Sequence, residues 1–189
     1  LEIVRGLGAD AVIDYTATFT WTGASLAGNN LWGDSSNWSS TVYGFIPGPD
    51  DIAIINSGSP ATFEGENISV RELRLNSGAL TAGTIHVGTE FRMLGGSFSG
   101  ILSLESGSSS TWAGGRFIGT MNIASGASLS MPSGGDPKYL GTAGATGTLN
   151  NAGTIIWSST YPIYGRGDFG ATINNLATGV YDIARDGEP

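Results

Sequence analysis

Few side chains in this chain of 189 residues could act as acid, base or nucleophile, and those few recur at regular spacing. Glu72, Glu90 and Glu105 follow one another along the chain, with Arg71, Arg74 and Arg92 beside the first two. Carboxylates lined up next to a basic side chain could serve a polysaccharide lyase or hydrolase. On a folded surface the same spacing makes a solvated stripe of alternating charge, and that is the expectation here. His86 is the single histidine and cysteine is absent, so the chain offers neither a histidine pair for zinc nor a thiolate. No serine sits in a Gly-x-Ser-x-Gly elbow. The chain is therefore not expected to be an enzyme.

Binding chemistry is better represented. Trp32, Trp38, Trp157, Tyr161 and Tyr164 are large rings near polar segments. Sugar C–H groups pack on such π-faces while Asn and Asp side chains take up the hydroxyls, and Asn29, Asn30, Asp34 and Asn37 flank Trp32 and Trp38. These five aromatics are the candidate carbohydrate-binding residues. The competing role, strongest for Trp21 and Trp38, is burial as a plug at the end of the fold. Asp50 and Asp51 follow Pro47-Gly48-Pro49, a strong turn signal. Such turn carboxylates can bind Ca²⁺ or accept backbone N–H bonds. They are the candidate metal ligands, and calcium is the only cofactor the chain suggests. No Asp-x-Asp-x-Asp-Gly loop is present, and Gly165-Arg166-Gly167-Asp168 only echoes the glycine-rich calcium nonapeptide. Arg166-Gly167-Asp168 also spells a tripeptide that integrins read on exposed loops.

The elements that must carry these residues are short β-strands. Ile68-Ser69-Val70, Ile85-His86-Val87, Leu102-Ser103-Leu104 and Met121-Asn122-Ile123 share an apolar-polar-apolar form; they begin at 68, 85, 102 and 121, so their spacings are 17, 17 and 19. Thr148-Leu149-Asn150-Asn151 returns as Thr172-Ile173-Asn174-Asn175, 24 residues later. A drifting period of this length means one small unit per turn, none able to bury its apolar face alone. Ile68, Val70, Leu73 and Leu75, then Ile85, Val87, Phe91 and Met93, are placed on the inner face by period-two alternation. Glycines 78, 83, 88, 95, 96 and 100 are expected at corners with positive φ. The doublets Asn150-Asn151 and Asn174-Asn175 are expected to stack as an amide ladder. No window shows a helical stripe with caps. The fold expected is all-β, a right-handed parallel β-helix (β-solenoid) with an N-terminal capping strand and a Trp-rich loop. Residues 1–66 form the cap and opening strands and 67–189 the rungs, with loop insertions near 132–147 and 158–170.

Composition narrows the partners. Lys and Arg total 8 and the net charge is −8, which disfavours nucleic acid and anionic membrane surfaces. Apolar residues make up 40%, too many for a solvated coil despite 31 glycines. No apolar stretch approaches the ~20 residues of a membrane helix, so no membrane insertion is expected. The chain starts at Leu1 and ends without a polar cap, which suggests a piece of a longer protein with flanking domains and further rungs.

Thr20-Trp21-Thr22-Gly23, Asn37-Trp38 and Ile46-Pro47-Gly48-Pro49-Asp50-Asp51-Ile52-Ala53-Ile54 resemble the opening segment of bacterial surface proteins. There an apolar-Trp-x-Gly strand and a Trp-bearing loop precede a Pro-Gly-x-Asp turn and a right-handed β-helix. Leu149 to Ile155 and Ile173 to Val180 resemble the repeats of autotransporter passengers and haemagglutinin-like adhesins. The resemblance covers most of 19–183 and carries no shared catalytic residues. It implies an extracellular or cell-surface location and a structural or adhesive role. The partner implied is a polysaccharide, a host or cell-surface glycan, or a protein. The alternatives are a carbohydrate-binding module of a polysaccharide-degrading system and a fragment of a polysaccharide-active β-helix enzyme. Separately, Leu7 to Tyr15 is similar to a cofactor-domain strand of medium-chain alcohol dehydrogenases. No Gly-x-Gly-x-x-Gly precedes it and nothing after it reads as helical.

Overall fold

The computed structural model describes residues 16–25, 28–40, 45–56, 60–62, 67–134, 136–165 and 170–184. The dehydrogenase-like segment Leu7 to Tyr15 and the Arg166-Gly167-Asp168 tripeptide lie outside them. The strands, in chain order, are β1 (Thr18–Trp21), β2 (Trp38–Ser40), β3 (Ile52–Ile55), β4 (Ala61–Thr62), β5 (Asn67–Leu75), β6 (Ala79–Met93), β7 (Ser97–Leu104) and β8 (Ser109–Trp112). They continue as β9 (Gly115–Ile123), β10 (Ser128–Met131), β11 (Lys138–Leu140), β12 (Gly147–Asn151), β13 (Thr154–Trp157), β14 (Ile163–Tyr164), β15 (Ala171–Asn175) and β16 (Val180–Ile183). All belong to one large, mostly parallel sheet. The helical element among the described residues is a single 3₁₀ turn, Ser35–Asn37, and no helix there is long and apolar enough to cross a membrane.

Pairing sorts the strands into three parallel columns. In the first, β1, β3, the second half of β5, the second half of β6, β8, β10, β13 and β16 follow one another. In the second, Ile68 faces Ile85, then Leu102, Met121, Leu149 and Ile173. The apolar triplets of the sequence are thus register partners. In the third, Ala61 faces Leu80, then Phe98, Phe117 and Leu140. From β4 onward the chain visits third, second and first column in the same order each time. Inward residues of all three columns form one buried cluster from Ala17 to Ile155, whereas Ile173 of β15 and Ile183 of β16 are exposed. Ile68 is half-buried, whereas Val70, Leu73, Leu75, Ile85, Val87, Phe91 and Met93 are buried as alternation requires.

The third column was hidden in the sequence because each of its strands buries about one large side chain, too short a run to show alternation. It also changes the reading of the two insertions. The segment 132–147 contains β11, and 158–170 contains β14, so each carries a third-column strand. Of the six corner glycines, Gly78, Gly96 and Gly100 have positive φ and Gly83, Gly88 and Gly95 do not. The corners at Gly83 and Gly88 are instead turned by register shifts within continuous strands. Where the third column meets the second, Gly100 and Gly119 have φ of 133° and 107°, and a Cβ on either would overlap a carbonyl of the turn before.

At the N-terminal side β2 pairs with β1 in antiparallel fashion, the one antiparallel strand pair among the described residues. Trp38 lies edge-on to Trp32 at 4.5 Å, Trp21 at 5.1 Å and Phe19 at 6.4 Å. Its Nε1 donates to the Trp32 carbonyl at 2.8 Å.

Candidate functional site

Alternation along β11 puts Lys138 and Leu140 inside and Tyr139 outside. Parallel pairing then aligns Arg116 of β9, Tyr139 and Tyr164 of β14 on the outer face of the third column. The Tyr139 and Tyr164 rings stack at 5.4 Å with 28° between planes. The Arg116 guanidinium lies 5.2 Å from the Tyr139 ring centre, a cation–π contact, and its Nη1 donates to Thr142 Oγ1 at 3.3 Å. Tyr164 is 39% exposed and Tyr139 half-buried.

Beside this strip runs an open groove of about 350 Å³, lined by Gly96, Ser97, Gly115, Arg116, Asp136, Pro137 and Tyr139. Its floor is bare backbone for a steric reason. Gly96 and Gly115 have φ of 75° and 91°, and a Cβ on Gly115 would come 2.7 Å from the Gly96 carbonyl oxygen. The loop between β10 and β11 folds over the neighbouring Gly114, where a Cβ would lie 2.8 Å from the Asp136 nitrogen. Asp136, which also lines the groove, is exposed.

Lys138 anchors the strip from beneath. It is fully buried, and its Nζ donates to the Pro132 carbonyl at 3.1 Å and to Ser159 Oγ at 3.5 Å. Burial pushes its pKa below the usual lysine range. Ser159 Oγ also accepts from the Tyr161 backbone N–H at 3.1 Å. One buried lysine therefore ties together the loops that precede β11 and β14.

The other sequence candidates are dispersed. Trp32 is fully buried and Trp38 is 8% exposed, so neither offers a ring face to a sugar; both belong to the aromatic cluster against β1. Trp157 points inward, half-buried, edge-on to Tyr181 at 6.4 Å. Burial pushes the Tyr181 hydroxyl pKa up. Tyr161 is 45% exposed, on the loop before β14. Asp51 uses both oxygens on backbone: Oδ1 accepts from Ala17 N–H and Oδ2 from Gly48 N–H, each at 2.9 Å. Asp50 is exposed beside it, and no group of three acidic or histidine side chains suited to a metal occurs among the described residues.

Asp34 caps the 3₁₀ turn. It accepts from Ser25 Oγ at 2.6 Å, Ser36 Oγ at 2.5 Å, Ser36 N–H at 3.0 Å and Asn29 Nδ2 at 3.0 Å. These donors, Ser25 first, hold its carboxyl well below the usual carboxylate range. The charged stripe is internally engaged: Arg74 Nη2 donates to Glu72 at 2.6 Å with Glu90 at 3.9 Å, and His86 Nδ1 lies 2.7 Å from Glu105. The asparagines stack as expected. Asn150 Nδ2 donates to Asn122 Oδ1 at 2.9 Å, Asn174 Nδ2 to Asn150 Oδ1 at 2.8 Å, and Asn151 Nδ2 to Asn175 Oδ1 at 2.7 Å.

Sequence reasoning singled out Tyr164 but missed Tyr139, Arg116 and Asp136, its neighbours on this face. Comparison with protein-family models, with curated proteins and with solved structures found no match to the chain.

Proposed function

We propose that the chain is a stretch of right-handed parallel β-helix serving as a structural and adhesive segment of a bacterial surface or secreted protein. One observation carries the reading: equivalent side chains stay in register from turn to turn through the second column, from Ile68 to Ile173. A chain that repeats its pairing in this way gives a rigid body whose length grows with the number of turns. The aromatic cluster of Trp21, Trp32 and Trp38 packs beside the β1–β2 pair at the N-terminal side, where this reading calls for a cap. The resemblance of the Trp-Thr-Gly and Pro-Gly-Pro-Asp segments to surface-protein openings supports the location. The reading is non-catalytic, and it is supported by the charged stripe making its own ion pairs, Glu72 with Arg74 and Glu105 with His86.

Removal of one whole turn tests it. Ser97 pairs with Arg116, so deleting 97–115 joins Gly96 to Arg116 in the same register. A repeating scaffold tolerates this and yields a shorter particle, still cooperatively folded, by small-angle scattering and urea melts. A sheet whose turns are not interchangeable unfolds. Antibody labelling of intact cells that make the parent protein tests the location.

A further inference from the structure

We infer that the edge formed by β15 and β16 is a strand-acceptor end, which takes up a parallel β-strand of a partner polypeptide carrying an aliphatic residue followed by asparagine. The inference goes beyond the scaffold reading and rests on strand pairing alone.

Among the described residues β15 pairs only with β12 and β16 only with β13, so one edge of each is open. An open edge offers a row of N–H and C=O groups to an incoming strand. The side chains agree with the backbone. Leu149 is fully buried, whereas Ile173, its partner one turn on, is 41% exposed. Trp157 is half-buried, whereas its partner Ile183 is 57% exposed. Leu176, at the corner between the two strands, is 48% exposed. Ile173 and Ile183 thus hold core positions that one more strand layer would cover, and none of the three residues is charged.

The amide ladder narrows the partner's chemistry. It runs one way: Asn150 donates back to Asn122, and Asn174 back to Asn150, each from Nδ2 to Oδ1. The ladder therefore ends on the Oδ1 of exposed Asn174, an acceptor with no donor among the described residues. The group that continues it is another carboxamide N–H, as asparagine supplies. In a parallel strand the residue before that asparagine lies opposite Ile173 and turns inward, which calls for an aliphatic side chain. The other end of the stack has a different shape. There the first column runs on past β5 through β3, β1 and antiparallel β2, and Thr62 of β4 is bonded to Asn30 and Trp32. That stepped end does not match the last turn, so the occupant is not a second copy laid head to tail.

The probe is a labelled synthetic peptide of residues 147–157, which spans β12 and β13 and so carries the side chains of the turn before. Docked one turn on, its Leu149 meets Ile173 and its Asn150 meets Asn174. Fluorescence anisotropy with the whole chain should show saturable binding. Ile173→Lys in the chain, and separately Asn150→Ala in the peptide alone, should each raise the dissociation constant at least about 10-fold, the scale of one lost hot-spot contact. Ile101→Lys, at a position 40% exposed in the same column but remote from the edge, should bind as the parent does. Circular dichroism confirms that the chain variants are folded, and the peptide variant leaves the chain untouched. Absence of binding overturns the inference. So does equal binding of the peptide in reversed sequence, or binding that survives either substitution unchanged. Self-association of the chain in sedimentation velocity that Ile173→Lys abolishes would assign the edge to a second copy and overturn it as well.

Discussion

Phe117→Ala against its neighbour Ile118→Ala is the sharpest probe of the three-column arrangement. Phe117 is fully buried, stacked on Phe98 at 4.9 Å and 7°, and edge-on to Trp112 at 6.3 Å. Truncation removes the ring's transfer energy and leaves a cavity whose walls are held by the turns before and after. Substitutions of this kind cost about 3–5 kcal/mol. Ile118, one residue on, points to the other face and is half-buried. Its truncation should cost under about 1 kcal/mol, as surface-facing changes do. With a urea slope of about 2.5 kcal/mol per molar, the midpoint should fall by about 1.5 M for Phe117→Ala and barely move for Ile118→Ala. Slopes must match the parent, since a turn-by-turn fold can lose cooperativity. Equal losses at the two positions, or the larger loss at Ile118, would refute the register, because a one-residue slip exchanges the two faces.

Lys138→Met should abolish one pH dependence. The folded pKa lies below the unfolded 10.5, so the unfolded chain binds more protons between the two and stability rises with pH there; urea melts at pH 7.5 and 10 should show a gain in the parent that the variant lacks, and identical gains would sink the idea. Asp34→Ala should loosen the loop that carries Trp32 and Trp38. The lowered carboxyl pKa contributes stability that is full above about pH 4 and is lost as pH falls further, so the near-ultraviolet signal of the Trp cluster should be more acid-sensitive in the parent than in the variant. Asn150→Ala interrupts the amide ladder at its middle rung and should cost about 1–3 kcal/mol for two hydrogen bonds, read by urea melts; a cost near zero would mean that water replaces the ladder without loss.

The second column was legible because its triplets alternate and its corners recur, two signals that reinforce each other. Ile68, Ile85, Leu102 and Met121 follow one another in the sequence at nearly constant spacing, and the same residues meet across the sheet. The tryptophans were ambiguous for a physical reason: a ring that can stack on a sugar can equally fill the end of a core, and polar Asn and Asp neighbours accompany both. In the structure those neighbours serve the loop itself. Asn37, fully buried, donates to the Leu31 carbonyl at 3.0 Å and accepts from Ser25 N–H at 2.8 Å.

The groove face was illegible because its turns lengthen as they approach it. Third-column strands start at 79, 97 and 115, then at 138 and 163, so the interval grows from 18 residues to 23 and 25. Arg116, Tyr139 and Tyr164 therefore share no period that a scan could detect, although pairing places them side by side. What lengthens the turns also builds the site. The loop before β11 supplies Asp136 and Pro137, and the loop before β14 supplies Ser159 for Lys138. A repeat keeps its core in register by constraining strands, while loops between strands are free to grow outward. Departure from the period is thus itself a signal, and in this chain it falls on the face where Arg116, Tyr139 and Tyr164 come together.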